Sequence, residues 1–199
     1  MSWAAVAIGY VLGSIPFGLL LTRLIGIDIR QVGSGNIGTT NVLRTGNKGL
    51  AAATLLLDAG KGAAAVLIGR ELGGEAAAIM AGTAAFIGHC FPIWLKFRGG
   101  KGVATILGIT FAAAPLAGGI ALATWLGGAL ATRYSSVGGM LAAIACPLAA
   151  WAVRDNIGWA IHLAPLAALL IFLHRDNIAR LRAGTESKIG QKAQGTKAK

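Results

Sequence analysis

Three segments hold most of the residues in this chain that could do chemistry. The first, Gly33-Ser-Gly-Asn-Ile-Gly-Thr-Thr-Asn-Val-Leu-Arg44, mixes glycines with hydroxyl, amide and guanidinium groups. The second runs from Gly88 through His89, Gly99, Gly100 and Lys101 to Thr105, and the third is His174-Arg-Asp-Asn-Ile-Ala-Arg-Leu-Arg-Ala-Gly-Thr-Glu186. Glycine allows positive φ and close backbone approach, so Gly33 and Gly35 can turn amides toward an anion, while Ser34, Asn36, Thr39 and Thr40 add side-chain donors. Arg44 supplies a planar fork suited to phosphate. Around Lys101 the device recurs: a flexible turn, a cation, then a helix start whose N-terminus favours negative charge. Neither segment is a P-loop, because GxxxxGK[ST] is absent and no nucleotide-binding strand precedes it.

The rest of the chain must position these segments, and its composition says how. Of 199 residues 55% are hydrophobic and only 13% charged, with a mean hydropathy of +0.69. That is too apolar for an ordinary soluble domain. A membrane span needs about 20 mainly apolar residues. Candidates run from Trp3 to Ile25, Leu50 to Gly69, Ala76 to Leu95, Pro115 to Thr132, Val137 to Val153 and Ile157 to Leu173. A shorter apolar piece, Val103 to Ala114, either crosses or bends back.

Charge decides between the two. With seven crossings, all of the 18 basic residues except Lys61, Arg70 and Arg154 fall at one face, together with all three polar segments. With six, Arg133 changes side and the basic C-terminal segment faces outward, against the positive-inside rule. The expectation is an all-α polytopic membrane protein with seven transmembrane helices, N-terminus outside and C-terminus cytoplasmic. A single domain covers 1–186, and a basic tail, 187–199, is expected to be disordered. The net charge of +11 is accounted for by basic cytoplasmic loops, so no nucleic-acid partner is expected. The first span lacks a basic n-region and a cleavage site, so it reads as a retained helix. Gly9 and Gly13 have the spacing of close helix packing in lipid.

The same three segments resemble a known family. Their patterns, GSGNxGxxNxxR, GHxFPxxxxFxGGKGxAT and HRxNIxRLxxGxE, are similar to those of the bacterial integral-membrane glycerol-3-phosphate acyltransferases that use acyl phosphate as donor. Asp176 stands at a variable position of the third pattern. The resemblance implies transfer of a fatty acyl group from acyl phosphate to sn-glycerol 3-phosphate, giving lysophosphatidic acid and phosphate, the first step of phospholipid synthesis at the bacterial inner membrane.

For that reaction Ser34, Arg44 and Lys101 are expected to hold the donor's phosphate, helped by backbone N–H groups near Gly33 and Gly35. His174 and Asn177 would orient glycerol 3-phosphate, with Asn36, Asn41 and Arg180 as further contacts. Thr39, Thr40, Gly99, Gly100 and Glu186 complete the expected set. Lys101 and Arg44 would also neutralise charge on the departing phosphate. The proton acceptor stays open between His174 and the substrate's own phosphate, since histidine titrates near neutrality and the donor is already activated. His89 is either a loop pin or a catalytic group. Ser135 and Ser136 are either phosphate donors or helix caps. His162 is expected to bond to a neighbouring helix.

Asp58 and Lys61, i and i+3 within a span, must face the bundle and pair, either as a structural couple or as the pocket floor. Cys90 and Cys146 are expected to form neither an acyl-enzyme nor a disulfide. No cofactor, metal site or obligate protein partner is expected; the partners are acyl phosphate, sn-glycerol 3-phosphate and membrane lipids. A transporter with an anion site is the rival class, but inverted repeats and polar breaks at mid-membrane, which it would require, are missing.

Overall fold

The structure is a computed structural model that describes residues 2–153 and 157–191. Among these residues it contains only helices and connecting segments: α1 (Trp3–Gly13), α2 (Phe17–Arg23), α3 (Thr39–Leu43), α4 (Lys48–Cys90), α5 (Val103–Ala113), α6 (Pro115–Thr132), α7 (Ser135–Ala152), α8 (Ile157–Leu173) and α9 (Arg175–Arg182). Large apolar side chains line the outside, with Trp3, Leu116, Leu130 and Phe172 all more than half exposed. A multi-pass membrane protein has this arrangement, because lipid rather than water meets its surface.

Four helical runs are long and apolar enough to cross a bilayer: Trp3–Arg23, Lys48–Leu95, Pro115–Thr132 and Ser135–Ala152. Counting Ile157–Leu173 with Arg175–Arg182, bent by 51° at their junction, makes a fifth, and Val103–Ala113 is a shorter apolar helix. The expected seven is therefore not reached by length and composition alone. Part of the difference is α4, which folds back on itself at Gly73 and Gly74 (φ 69°, ψ −160° at Gly74), a conformation in which only glycine is comfortable.

The first expected span is not one helix. Pro16 has no N–H to continue the ladder, and α1 and α2 separate there. Long-range donors occupy the carbonyls at the break: the Trp94 indole donates to Ser14 (2.7 Å) and the Lys61 ammonium to Ile15 (2.8 Å). Gly9 and Gly13 lie directly against the backbone of Ala81 and Ala85, leaving no room for a Cβ, so the close packing read from their spacing brings α1 onto the second limb of α4. Gly108 meets Ala59 in the same way, seating α5 on the first limb.

Lys61 also bonds Asp58 at 2.7 Å, and both are buried, which solves the cost of placing charge among apolar helices. His162 departs from expectation. It is exposed, and its Nδ1 pairs with the Gly158 carbonyl of its own helix (2.8 Å) rather than with a neighbour. Cys90 and Cys146 are both buried and unbridged. At the other end of the bundle Arg70 pairs with Glu75 (2.9 Å) and donates to the Ala112 carbonyl.

Candidate functional site

The Gly33 loop winds round a single buried amide. Asn41 donates to the carbonyls of Ile29, Val32 and Asn36 at 2.9–3.0 Å and accepts from the Ser34 amide at 3.1 Å. Gly33 has φ 53° and lies against Asn41 and Arg44, where a side chain would collide. Asn36 turns its Oδ1 onto the Gly38 amide (2.9 Å), which sets the start of α3. Beneath the loop, Leu19, Ile29, Ile37 and Val42 form a small core of their own. Arg44 is left facing the cavity with only a long contact to Asn41 (3.5 Å), and burial lowers its pKa from the usual value, partly countered by Glu186.

In the second segment Gly99 and Gly100 donate their amides to the carbonyls of Cys90 and His89, both at 3.0 Å. These bonds close the loop onto the end of α4 and press Gly100 against the His89 ring, with no space for a Cβ. Lys101 then reaches across to donate to the Asn177 side-chain oxygen. Burial, with Arg180 and Arg44 nearby, pulls its pKa down to about 8.

The third segment supplies a hub. The Glu186 carboxylate accepts from Ser136 (2.8 Å), Asn177 (2.6 Å) and Arg180 (2.6 Å), joining α7, α9 and the segment after it. Burial alone would raise its pKa, but these donors hold it below the ordinary value. His174 places Nδ1 against the Leu170 carbonyl (2.8 Å), so that nitrogen carries the proton and Nε2 keeps its lone pair. Burial lowers its pKa to about 4, so the ring is neutral near pH 7.

These groups enclose one cavity of about 110 Å³, well beyond the roughly 10–15 Å³ that a single water needs. Its wall contains Ser34, Asn36, Thr39, Thr40, Asn41, Arg44, His89, Lys101, Ser135, Ser136, His174, Asn177 and Glu186. Gly33, Gly35, Gly99, Gly100 and Arg180, expected at the site, do not line the cavity; Gly33 packs against Asn41 and Arg44, Gly99 and Gly100 against His89, and Arg180 bonds Glu186. The amides of Ser34 and Gly35 are committed within the loop, to Asn41 Oδ1 at 3.1 Å and to the Val32 carbonyl at 2.9 Å, so neither of these two is open to an anion.

Other backbone amides lie closer to the cavity. The first residues of α3, α5 and α7 border the cavity, as do His174 and Asn177 at the start of α9, and no side chain caps any of these four starts. Each brings backbone N–H groups without intrahelical partners and a partial positive charge. Of these, only the α5 start was legible as an anion site, from the cation and glycine before it. Thr40 and Ser135 bond to each other (2.8 Å) and tie two of the starts together.

Asp58, one of the pair expected either as a structural couple or as the pocket floor, reaches the wall with His89 Nδ1 3.8 Å from its carboxylate, while its partner Lys61 does not line the cavity. Sequence reasoning missed other wall residues. Leu55, Val103 and Trp125 add an apolar side, and nothing in the spacing of an apolar helix marks Trp125 as special. Ser187 lines the cavity and the Ile189 amide donates to the Arg133 carbonyl (2.8 Å). The packed body thus runs past the expected boundary at 186; residues 192–199 of the expected tail, like Arg154 and Asp155, lie outside the described residues. Among the described residues no group of His, Cys, Asp or Glu is placed to hold a metal ion.

A family model described as glycerol-3-phosphate acyltransferase matches residues 3–184. A curated protein of that name from Bradyrhizobium sp. (strain ORS 278) is 58% identical over 190 residues, 94% of this chain and 95% of its own length. Another, from Ruegeria pomeroyi, is 58% identical over 193 residues, 96% of this chain and 93% of its own. Among solved structures, the crystal structure of PlsY (YgiH), an integral membrane glycerol 3-phosphate acyltransferase, in its glycerol 3-phosphate form is similar with a TM-score of 0.88 at 37% identity, covering 94% of each chain. Its lysophosphatidic acid form gives 0.87 at 36%.

Proposed function

Because this chain belongs to the glycerol-3-phosphate acyltransferase family, we propose that it moves a fatty acyl group from acyl phosphate to the 1-hydroxyl of sn-glycerol 3-phosphate, releasing lysophosphatidic acid and phosphate. The observation that carries this reading is the convergence of four uncapped helix starts with Arg44 and Lys101 on one cavity. Such a site favours anions that arrive as phosphate. Both substrates bear one, and the apolar wall of Leu55, Val103 and Trp125 suits the fatty end.

The hydroxyl oxygen attacks the acyl carbon, the bond from that carbon to the phosphate oxygen breaks, and the hydroxyl proton leaves with the phosphate. Ser34, Arg44 and Lys101 hold the donor phosphate and balance its growing charge; His174 and Asn177 orient the acceptor. His174 is a poor base for the proton, since burial holds its pKa at about 4. A phosphate ester dianion takes up a proton at about pH 6. The departing phosphate is therefore the stronger acceptor, and His174 Nε2 serves to align the hydroxyl.

The chain crosses the membrane seven times, with α1 and α2 forming one span, the two limbs of α4 two more, and α5 to α8 the remaining four. At 11 residues α5 is only about 16 Å long. It is packed inside the bundle with Ile106 and Ile109 fully buried, so it need not match the bilayer by itself. The N-terminus lies outside and the cavity opens to the cytoplasm, where the basic loops collect.

Purified protein given acyl phosphate and radiolabelled glycerol 3-phosphate should yield labelled lysophosphatidic acid. No product, or an equal rate with acyl-CoA, would overturn the proposal.

A further inference from the structure

Lys101 is carried by a loop that lies on two rings of α4. Phe86 and His89 stand at i and i+3 on that helix and so share a face. Gly100 packs against the His89 ring and Gly102 against the Phe86 ring, each so closely that a Cβ would overlap ring atoms. The amides of Gly99 and Gly100 hold the chain before Lys101 to the Cys90 and His89 carbonyls, both at 3.0 Å. Lys101, between the two glycines, takes its position from these rings and reaches across to Asn177.

The two rings are held by different means. Phe86 is fully buried in the apolar core, and close packing alone fixes a phenyl ring. His89 is also buried, but its Nδ1 has no hydrogen-bond partner among the described residues. A buried polar atom left unsatisfied is costly, so neighbouring charge decides how the ring sits. The Asp58 carboxylate lies 3.8 Å from Nδ1. That is longer than a hydrogen bond, yet charge acts over this distance in apolar surroundings and favours the proton on Nδ1. Asp58 is fixed in turn by Lys61, which donates to its Oδ1 at 2.7 Å and to the Ile15 carbonyl at 2.8 Å. A line of contacts thus runs from the α1–α2 break through Lys61, Asp58 and His89 to Gly100, and ends at the cation of the site.

We propose that Asp58 is a positioning residue for the transfer reaction: it orients the His89 ring, and that ring, packed against Gly100, sets where Lys101 presents its ammonium. Asp58 acts through His89 and need not touch either substrate. A bare carboxylate at the wall of a phosphate site would repel its ligand, and Lys61 balances that charge. The inference rests on the reading of Lys101 as the cation that holds the donor phosphate. It gives the buried pair a task beyond the stability of the bundle.

The test is a double-mutant cycle in proteoliposomes between Asp58→Asn, which keeps the shape and removes the charge, and Lys101→Ala. Asp58→Asn should lower kcat/KM for acyl phosphate by about tenfold, within the usual range for coupled neighbours, and leave KM for glycerol 3-phosphate within about twofold of wild type. In the Lys101→Ala background the same change should cost less than about threefold, because the cation it positions is gone. A merely structural role would give losses that multiply. An equal cost in both backgrounds would therefore overturn the proposal, as would an Asp58→Asn value of kcat/KM within about twofold of wild type. Thermal midpoints of all four proteins in detergent confine the comparison to folded material. If Asp58→Asn does not fold, because Lys61 is left unpaired, His89→Gln takes its place in the cycle. It removes the ring and spares the ion pair, and the same two readings decide. Wild type yielding no product would instead count against the function itself, so the two failures are distinguishable.

Discussion

Lys101 and His174 sit in the same cavity, and burial shifts both pKa values downward with opposite consequences for charge. Lys101, at about 8, is mostly cationic at neutral pH, while His174, at about 4, is neutral. As pH rises past about 8 the ammonium is lost, so the apparent KM for acyl phosphate should climb, and Lys101→Arg should abolish that climb. Unfolding is not the cause: between about 8 and the ordinary lysine value the unfolded chain binds more protons at this site, so this group's contribution to stability increases with pH there. His174→Gln should keep kcat within about tenfold of wild type, because general-base help, typically worth about 10²–10⁴, is not drawn from this ring. A rate loss near the upper end of that range would make His174 the proton acceptor. Asn41 differs from both. The motif marked it as a ligand contact, yet its amide bonds are all spent on holding the loop. Asn41→Ala should lower stability by about 2–4 kcal/mol, as several buried polar groups lose partners, and the thermal midpoint in detergent would register it.

The proposed phosphate site draws on helix starts, and each depends on the chain that precedes it. Gly102, with φ 87°, begins α5 while packed against the Phe86 ring, where a Cβ would overlap aromatic carbons. Gly102→Ala would add left-handed strain of about 1–2 kcal/mol to that clash and displace the α5 start from the cavity. Its kcat/KM should fall at least tenfold while the helical circular dichroism stays intact. A near-wild-type value would show that the α5 start is not needed. Apolar periodicity made the helices legible, and the glycine before Val103 made one start legible. The break at Pro16 was readable in principle, but its stabilising partners Lys61 and Trp94 lie 46 and 80 residues away. The proposal gives the anion to helix ends as well as to the loop for a similar reason. Which N–H groups are already bonded is a matter of tertiary contact, as Gly99 and Gly100 illustrate by donating to α4.

At the scale of the whole molecule, sequence patterning gave the polar segments and the charge asymmetry, and the three segments do meet in one cavity. Span counting was less secure, because α4 doubles back at Gly73–Gly74 and α5 is short. Both native cysteines are buried, so single cysteines introduced elsewhere report topology cleanly. Glu71→Cys should react with a membrane-impermeant thiol reagent on intact cells, and Lys96→Cys only after permeabilisation; the reverse pattern would invert the proposed orientation. The proposed function requires the cavity to grip phosphate through its cations and helix ends. Its most direct test is the rate of ester formation from acyl phosphate by Lys101→Ala in proteoliposomes, beside wild type at equal thermal stability. The prediction is a loss of roughly a hundredfold or more, about 3 kcal/mol of transition-state stabilisation; a rate within threefold of wild type would contradict it.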